Sequence, residues 1–356
     1  MTQRPILFTP GPTEVRPEVL QAFARPVISH RGPEMARLIQ AILPGVGRLF
    51  GTREAVLLSS SSASGLMEGA IRNCVSGRSL HLVSGAFGER WRQLAVDCGR
   101  EAESVTVPAG EPISPEAVEE VLSSAPFDAV CVTHNETSTG VTNPLPAIAR
   151  AVRQHEGVLL MVDAVSSLGG IPVEVDANGI DVCFASVQKA LALPPGFSLC
   201  TVSARALERA RKMKGRGYYF DFVRLAEASA KSQPLATPSV SHLMALEAQL
   251  RILFNEGLEK RYARHAAMAR RVRSWAREPF RVLARQGYES DTVTCVTTPR
   301  KMVVADFLER LKARGFQISS GYGSLKQSTF RIGHLGEHTP EGVEALLQAM
   351  NEVLAS

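Results

Sequence analysis

The sequence predicts an α/β fold, a large domain on a mostly parallel sheet with a small α+β C-terminal domain after it, and three observations carry that expectation. Between residues 55 and 203, short apolar runs alternate with amphipathic stretches, the rhythm of successive strand–helix–strand units. One run, Val158-Leu159-Leu160-Met161-Val162, is apolar throughout, as a strand covered on both faces must be. After a long helical stretch over 239–276, strands and helices alternate again on a smaller scale.

Taken in chain order, Pro5, Pro10, Gly11, Pro12 and Pro17 make residues 5–17 an extended arm. A helix is expected from Glu34 to Leu49, with a bend allowed at Pro44-Gly45. Strands are expected at 55–59, 79–84, 128–133, 158–162, 181–185 and 197–203, with helices at 65–76, 88–98, 114–123 and 146–155. The helical region 239–276, centred near Phe254-Asn255-Glu256-Gly257, bridges into a second domain. There, strands are expected near 292–297, 316–319 and 329–333, and helices near 303–314 and 340–353. The expected organisation is an arm at 1–20, a large domain at 21–254 and a small one at 255–356.

A chain of 356 residues, 45% hydrophobic and 21% charged, can bury a sizeable core without disulfides. Its six cysteines, Cys74, Cys98, Cys131, Cys183, Cys200 and Cys295, have neither C-x-x-C nor zinc spacing. They suit buried positions in a reducing compartment. No long apolar stretch follows Met1-Thr2-Gln3-Arg4-Pro5, so no signal peptide is expected and the expected location is cytoplasmic. No run approaches the roughly 20 apolar residues of a membrane span. The net charge of +5 is spread along the chain. It favours anionic small molecules over nucleic acid as partners.

Five strand ends carry groups suited to chemistry. Lys189 follows a strand in Ser186-Val187-Gln188-Lys189-Ala190-Leu191, where an ammonium is costly to bury. Alone it reads as a surface lysine; desolvated, it is a nucleophile able to hold an aldehyde as an imine. Asp163 ends the apolar strand before Ala164-Val165-Ser166-Ser167. A carboxylate there can cap a helix, bind a metal or keep a pyridine nitrogen protonated. Ser59-Ser60-Ser61-Ser62-Ala63-Ser64-Gly65 precedes a helix and suits a phosphate at its N-terminus, or a serine linker. Phe87 in Ser84-Gly85-Ala86-Phe87-Gly88-Glu89-Arg90 can stack on a ring or fill the core. Thr133-His134-Asn135-Glu136-Thr137-Ser138-Thr139-Gly140 is a polar loop after another strand. One ligand with a phosphate, a planar ring, a cationic nitrogen and an aldehyde accounts for all five.

In this order, these segments resemble the class V family of pyridoxal-phosphate-dependent aminotransferases, and within it the alanine–glyoxylate and serine–pyruvate branch. The resemblance runs from Thr9-Pro10-Gly11-Pro12-Thr13 to Arg331-Ile332-Gly333. It rests on the patterns H-x-E-[ST]-S-T-G, D-[AS]-V-x-S and S-x-Q-K-A-L-x-x-P-P-G. It implies the fold type I transferase architecture with a seven-stranded sheet, the cofactor pyridoxal 5'-phosphate, and a homodimer with shared sites. It also implies roles. Lys189 resembles the lysine that carries the cofactor and moves protons, and Asp163 the partner of the ring nitrogen. Phe87 and Val165 would face the ring from opposite sides, and Thr137 would bond its phenolic oxygen. Ser62, Ala63, Ser64 and Gln188 would hold the phosphate or ring, and Thr237 would reach the phosphate from the other subunit. A tyrosine that some relatives carry three positions earlier is Pro234 here. Arg331 resembles the arginine clamping the substrate carboxylate, for which a planar fork of N–H donors is needed, with the backbone near Gly11 assisting.

The implied reaction is a two-stage transfer of an amino group between a small L-amino acid and a 2-oxo acid. A cysteine desulfurase or lyase of the same fold is the nearest alternative. Such relatives place histidine before the lysine and a cysteine on a late loop, whereas Gln188 and Ser319-Ser320-Gly321-Tyr322-Gly323-Ser324 stand here. A catalytically silent binding module is the alternative from another class, and the intact set of Lys189, Asp163 and Arg331 speaks against it. A diacid substrate would need a second cation, which His30 and Arg31 in Ser29-His30-Arg31-Gly32-Pro33 could supply, with Arg31 the candidate, unless that turn only positions the arm.

Overall fold

A computed structural model describes residues 4–276 and 279–356. The first three residues of the expected arm, and residues 277–278 of the expected second domain, lie outside the described residues.

The first half of the chain builds a seven-stranded sheet. In chain order its strands are β1 Ala55–Ser59, β2 Arg78–Val83, β3 Glu101–Thr106, β4 Ala129–Thr133, β5 Leu159–Asp163, β6 Val182–Ser186 and β7 Ser198–Val202. Their spatial order is β1-β7-β6-β5-β4-β2-β3. Strand β7 runs antiparallel to both neighbours, and every other pair is parallel. Alternation along the central strands feeds two cores. Val130, Leu160 and Val162 join the cluster under α1 (Pro33–Phe50), with Ile42 and Leu250. Ala129, Cys131, Leu159 and Met161 join the opposite cluster, with Leu66, Trp91 and Phe184. That is the two-sided cover a mostly parallel sheet requires.

Six of these strands match the apolar runs of the sequence within a residue or so at each end. The seventh, β3, has the sequence Glu-Ala-Glu-Ser-Val-Thr and lies at the sheet edge with its charged side chains outward. An edge strand needs no apolar run, so periodicity does not announce it. The expected bend in α1 does not interrupt it, and the helix continues through Pro44. The seven-residue helix Pro17–Phe23, with proline in its first turn, was hidden among the prolines of the arm. Two more helices serve the site, α2 Ala63–Cys74 after β1 and α3 Ala86–Asp97 after β2.

The long helical region is two helices, α4 Val240–Glu256 and α5 Leu258–Trp275. Gly257 separates them at φ +86°, where a side chain would be strained. Beyond lies a four-stranded antiparallel sheet in the order β8-β9-β11-β10: β8 Arg281–Val282, β9 Val293–Thr297, β10 Ser319–Ser320 and β11 Thr329–Gly333. Helices α6 Val304–Ala313 and α7 Pro340–Ala355 cover it. The expected strand at 316–319 is split. Phe316–Gln317 pairs in parallel with Ile6–Leu7 of the arm, and Ser319–Ser320 pairs with β11. Phe8 then enters the C-terminal core. The arm is thus strapped to the far end of the chain.

Arg261 on α5 locks these parts together. Its side chain is 0% exposed. It donates to the carbonyl oxygens of Gly169 at 2.9 Å and Ala190 at 2.6 Å, and pairs with Glu256 at 2.8 Å and Glu337 at 3.0 Å. Ala190 adjoins Lys189, so this cation also braces the lysine segment. Removing one partner of a buried ion network strands the others. Arg261→Met is therefore expected to cost about 3–5 kcal/mol, read as a lower urea midpoint. Arg271→Met, at the exposed pair with Glu344, is expected to cost under ~1 kcal/mol. Equal midpoints for the two variants would contradict the bracing role.

Candidate active site

The C-terminal ends of β1, β2, β4, β5 and β6 meet along one edge of the large sheet, where parallel α/β folds place their ligands. Parallel register brings Thr133 of β4 opposite Asp163 of β5, and Asp163 opposite Phe184 of β6. A cleft of about 610 Å³ opens there. Ser62, Ala63, Ser64, Phe87, Thr137, Asp163, Val165, Gln188 and Lys189 all line it, so nine of the residues singled out in the sequence come together.

Lys189 lies just beyond β6. Its Nζ donates to the Pro10 carbonyl oxygen at 2.7 Å. Gly11 sits at φ +121°, and a β-carbon there would overlap the Lys189 side chain, so only glycine lets the arm pass this closely. Thr13 accepts nothing from the lysine but holds its backbone, donating from Oγ1 to the Lys189 carbonyl at 3.1 Å and from its amide to that of Gln188 at 3.2 Å. Burial pushes the lysine down to about 8, helped by the Arg331 charge and opposed by Asp163.

Asp163 is 3% exposed. One carboxylate oxygen accepts the Val165 N–H at 2.8 Å. Burial pushes the group up to about 7; the Val165 N–H opposes this, the Glu136 charge adds to it, and Lys189 and Arg90 oppose it. A cationic N–H facing the second oxygen would restore the ordinary ionised carboxylate.

At the β1 end, Ser62 is the N-cap of α2, yet its side chain makes no capping bond. Ser61 and Ala63 are fixed from behind by Ser198 and Ser186: Ser198 Oγ donates to the Ser61 carbonyl at 2.7 Å, and Ser186 Oγ accepts the Ala63 N–H at 3.2 Å. Hydroxyls and a helix start thus face the cleft, a setting for a phosphate. Gln188 Oε1 and Thr133 Oγ1 are buried in the cleft wall with no hydrogen-bond partner, and buried polar atoms of this kind are rare unless a ligand satisfies them. An aldehyde-bearing, phosphorylated pyridine fits this donor set at each of its ends.

The carboxylate of Glu136, 0% exposed, organises the other wall. One oxygen accepts the N–H groups of Phe87 and Gly88, both at 3.1 Å, at the start of α3. The other accepts the Ser138 N–H at 3.0 Å and hydroxyl at 2.6 Å. A carboxylate on a helix N-terminus is favoured by the dipole, and here it fixes Phe87 against the Thr137 loop. Thr137 shares a short hydroxyl hydrogen bond with Ser166. Arg331, on β11, is 8% exposed and donates from Nε to the Ser320 carbonyl at 3.0 Å and from Nη1 to the Thr137 carbonyl at 3.4 Å.

Two expected site residues lie elsewhere in the chain. Thr237 lines a second cleft of about 600 Å³, with Ser59, Ser60 and Pro234. Arg31 donates to the Pro234 carbonyl at 3.0 Å, outside the Lys189 cleft. Conversely, Met67, Arg90, Thr133, Asn135, Ser166 and Ser186 line the Lys189 cleft; all but Met67 stand in the strand-end segments read from the sequence, but none was given a role of its own. Thr133 and Ser186 end strands, and Arg90 sits three residues after Phe87 on one helix face. The strand-end rule and the helical repeat could have found them.

Residues 85–346 match the family Aminotransferase class-V. A Synechococcus protein named soluble hydrogenase, small subunit, is 34% identical over 363 residues, covering 100% of this chain and 94% of its own. The L-aspartate–glyoxylate aminotransferase of Paracoccus denitrificans is 32% identical over 354 residues, covering 95% and 88%. The crystal structure of alanine–glyoxylate aminotransferase from Nostoc sp. matches with a TM-score of 0.94 at 28% identity, covering 99% of this chain and 96% of that one. Agreement in sequence and in fold puts the chain in the class-V aminotransferase family, pyridoxal-phosphate-dependent transaminases of fold type I.

Proposed function

We propose that the protein moves the amino group of a small L-amino acid (alanine, serine or aspartate) to glyoxylate, pyruvate or 2-oxoglutarate in a two-stage ping-pong reaction. The observation that carries this reading is a buried lysine of lowered basicity that shares one cleft with Asp163 and feels the charge of Arg331. Relatives whose names specify glyoxylate and aspartate, serine or alanine support the substrate class. The hydrogenase name belongs to its own bearer.

Bound pyridoxal phosphate supplies an aldehyde to receive the amino group and a ring to spread the electron pair left at the substrate Cα. The chain's own residues do the rest. The N-terminus of α2, with Ser62 and Ser64, would hold the phosphate, and Gln188, in the same cleft, has side-chain N–H groups able to donate to the cofactor. Asp163 keeps the ring nitrogen protonated. Phe87 covers the ring, and the Thr137 hydroxyl bonds its phenolic oxygen. Arg331 receives the substrate α-carboxylate with two parallel N–H donors. Lys189, which would hold the cofactor aldehyde, is the base that in its neutral form could take the proton from the substrate Cα and return it during transfer.

On this reading the active unit is a homodimer. Thr237 lies outside the Lys189 cleft of its own chain but beside Ser59 and Ser60, whose loop leads into α2. The role assigned to it is a contact with the phosphate of the partner subunit. The location proposed is the cytoplasm. The six cysteines are free and five are buried, which fits a reducing compartment. Among the described residues, no helix is long and apolar enough to cross a membrane.

Lys189→Ala is expected to abolish amino transfer and the visible absorbance of covalently held cofactor, and turnover at the normal rate would refute the assignment. Only neutral Lys189 can accept the Cα proton, and burial lowers its value from the ordinary 10.5 to about 8. Single-turnover deamination of L-alanine should therefore rise with pH through about 8 and then level off. A rise centred near the ordinary lysine value would contradict the lowered basicity. Sedimentation of the holoenzyme should give a dimer, with Thr237→Ala weakening cofactor retention; a stable, fully active monomer would exclude shared sites.

A further inference from the structure

Arg90 lines the Lys189 cleft and the Arg331 charge acts on Lys189, and neither guanidinium forms an ion pair among the described residues. Arg331 bonds only the carbonyls of Ser320 and Thr137. Arg90 lines the cleft and bonds only the hydroxyl of Tyr322, donating from Nη2 at 2.6 Å. The carboxylates nearby are already engaged. Glu136 accepts four hydrogen bonds from Phe87, Gly88 and Ser138. Glu89, next to Arg90 on α3, pairs with Arg92 at 2.6 Å.

Tyr322 links the two cations. The Arg331 guanidinium carbon stands 5.5 Å from the centre of the tyrosine ring, while Arg90 is tied to its hydroxyl end. Phe87 packs against the same tyrosine, with ring centres 5.5 Å apart, and carries the Arg90 guanidinium 4.9 Å from its own centre. Arg90 is exposed at the cleft mouth. The Phe87 ring and the Tyr322 hydroxyl nonetheless restrict its long side chain, so less freedom is lost when it meets an anion. The Tyr322 side chain thus meets both guanidinium groups, Arg331 over its ring and Arg90 at its hydroxyl, an arrangement suited to a short molecule with an acid at both ends.

We propose that Arg90 binds the distal carboxylate of a dicarboxylic substrate whose α-carboxylate rests on Arg331, with Tyr322 setting the distance between them. This rests on the transaminase reading and selects within it. Aspartate is favoured among the amino donors, and 2-oxoglutarate among the larger acceptors. Arg31, the second cation expected from the sequence, is engaged with the Pro234 carbonyl outside this cleft. A guanidinium–carboxylate contact of this kind changes affinity by roughly tenfold to a hundredfold. Exposure at the mouth puts the expectation near the lower end.

The test uses the holoenzyme and two unreactive acids, succinate and propionate, with binding read from the visible absorbance of the bound cofactor. Wild-type protein should bind succinate about tenfold or more tightly than propionate. In Arg90→Gln that ratio should collapse towards one, and Tyr322→Phe, which loses the tether and keeps the ring, should give an intermediate ratio. Equal affinities in the wild type would overturn the proposal, as would a ratio unchanged in Arg90→Gln or cofactor loss as its main effect. Because neither acid reacts, the outcome is independent of turnover. Discrimination without amino transfer would remove the transaminase reading and leave the diacid site, and transfer without discrimination would do the reverse.

Discussion

An amine buried at the end of a parallel strand is the constraint around which this structure is assembled. Inside the protein an ammonium is costly without a partner, and the partner of Lys189 is the carbonyl of Pro10. That contact brings the N-terminal arm across the sheet edge, and the arm is secured at both sides of it. Upstream, Ile6–Leu7 pairs with Phe316–Gln317, and the Gly333 N–H donates to the Phe8 carbonyl at 2.7 Å. Downstream, Thr13 bonds the backbone of Gln188 and Lys189. A β-carbon on Gly333 would overlap the Thr9 carbonyl, as one on Gly11 would overlap the lysine. Two glycines therefore let the arm lie between the C-terminal sheet and the reactive side chain, and Arg261 braces the same segment from the other side through Ala190.

The sheet supplies the second half of the geometry. Parallel register sets Thr133 level with Asp163, and β6 ends two residues past the partner of Asp163, so these residues and the segment after Ser186 gather at one sheet edge without any long loop. Glu136 then joins the β2 end to the β4 end by accepting N–H groups from both α3 and its own loop. With the start of α3 fixed, Phe87 is fixed too, and the Thr137 carbonyl is positioned for Arg331. Rigid supports of this kind let a cleft hold a flat cofactor in one orientation.

Sequence patterning made the sheet and the lysine legible because both obey local rules. Apolar runs mark β1, β2, β4, β5, β6 and β7, and polar groups immediately after them mark the site. Edge strand β3 escaped because solvent on one side removes the need for an apolar run. Arg90 escaped for another reason. On α3 it reads as an ordinary exposed helix cation, and its partner Tyr322 is 232 residues away. Arg31 drew attention through its place after the arm, yet the fold turns it towards Pro234. Thr237 likewise lies by Ser59 and Ser60 instead of in its own chain's lysine cleft. Tertiary pairings across hundreds of residues leave no periodic trace, so a motif can locate a cofactor lysine more readily than the groups that choose a substrate.

Charge balance in the cleft ties these threads together. Lys189 and Arg90 line it, the Arg331 charge acts on Lys189, and among the described residues Asp163 is the one carboxylate in the lining. Glu136 lies nearby, but amides and a hydroxyl already satisfy it. The lowered basicity of Lys189 is part of that imbalance, since Arg331 adds to the effect of burial and Asp163 only partly offsets it. On the proposed reading, an occupant with one acid would relieve Arg331 alone, a diacid would also relieve Arg90, and a cofactor phosphate would be met chiefly by the amides and hydroxyls at the start of α2. The same local field that favours a neutral lysine ready to take a proton therefore also favours the more acidic members of the substrate class, so proton transfer and substrate choice draw on one arrangement of charges.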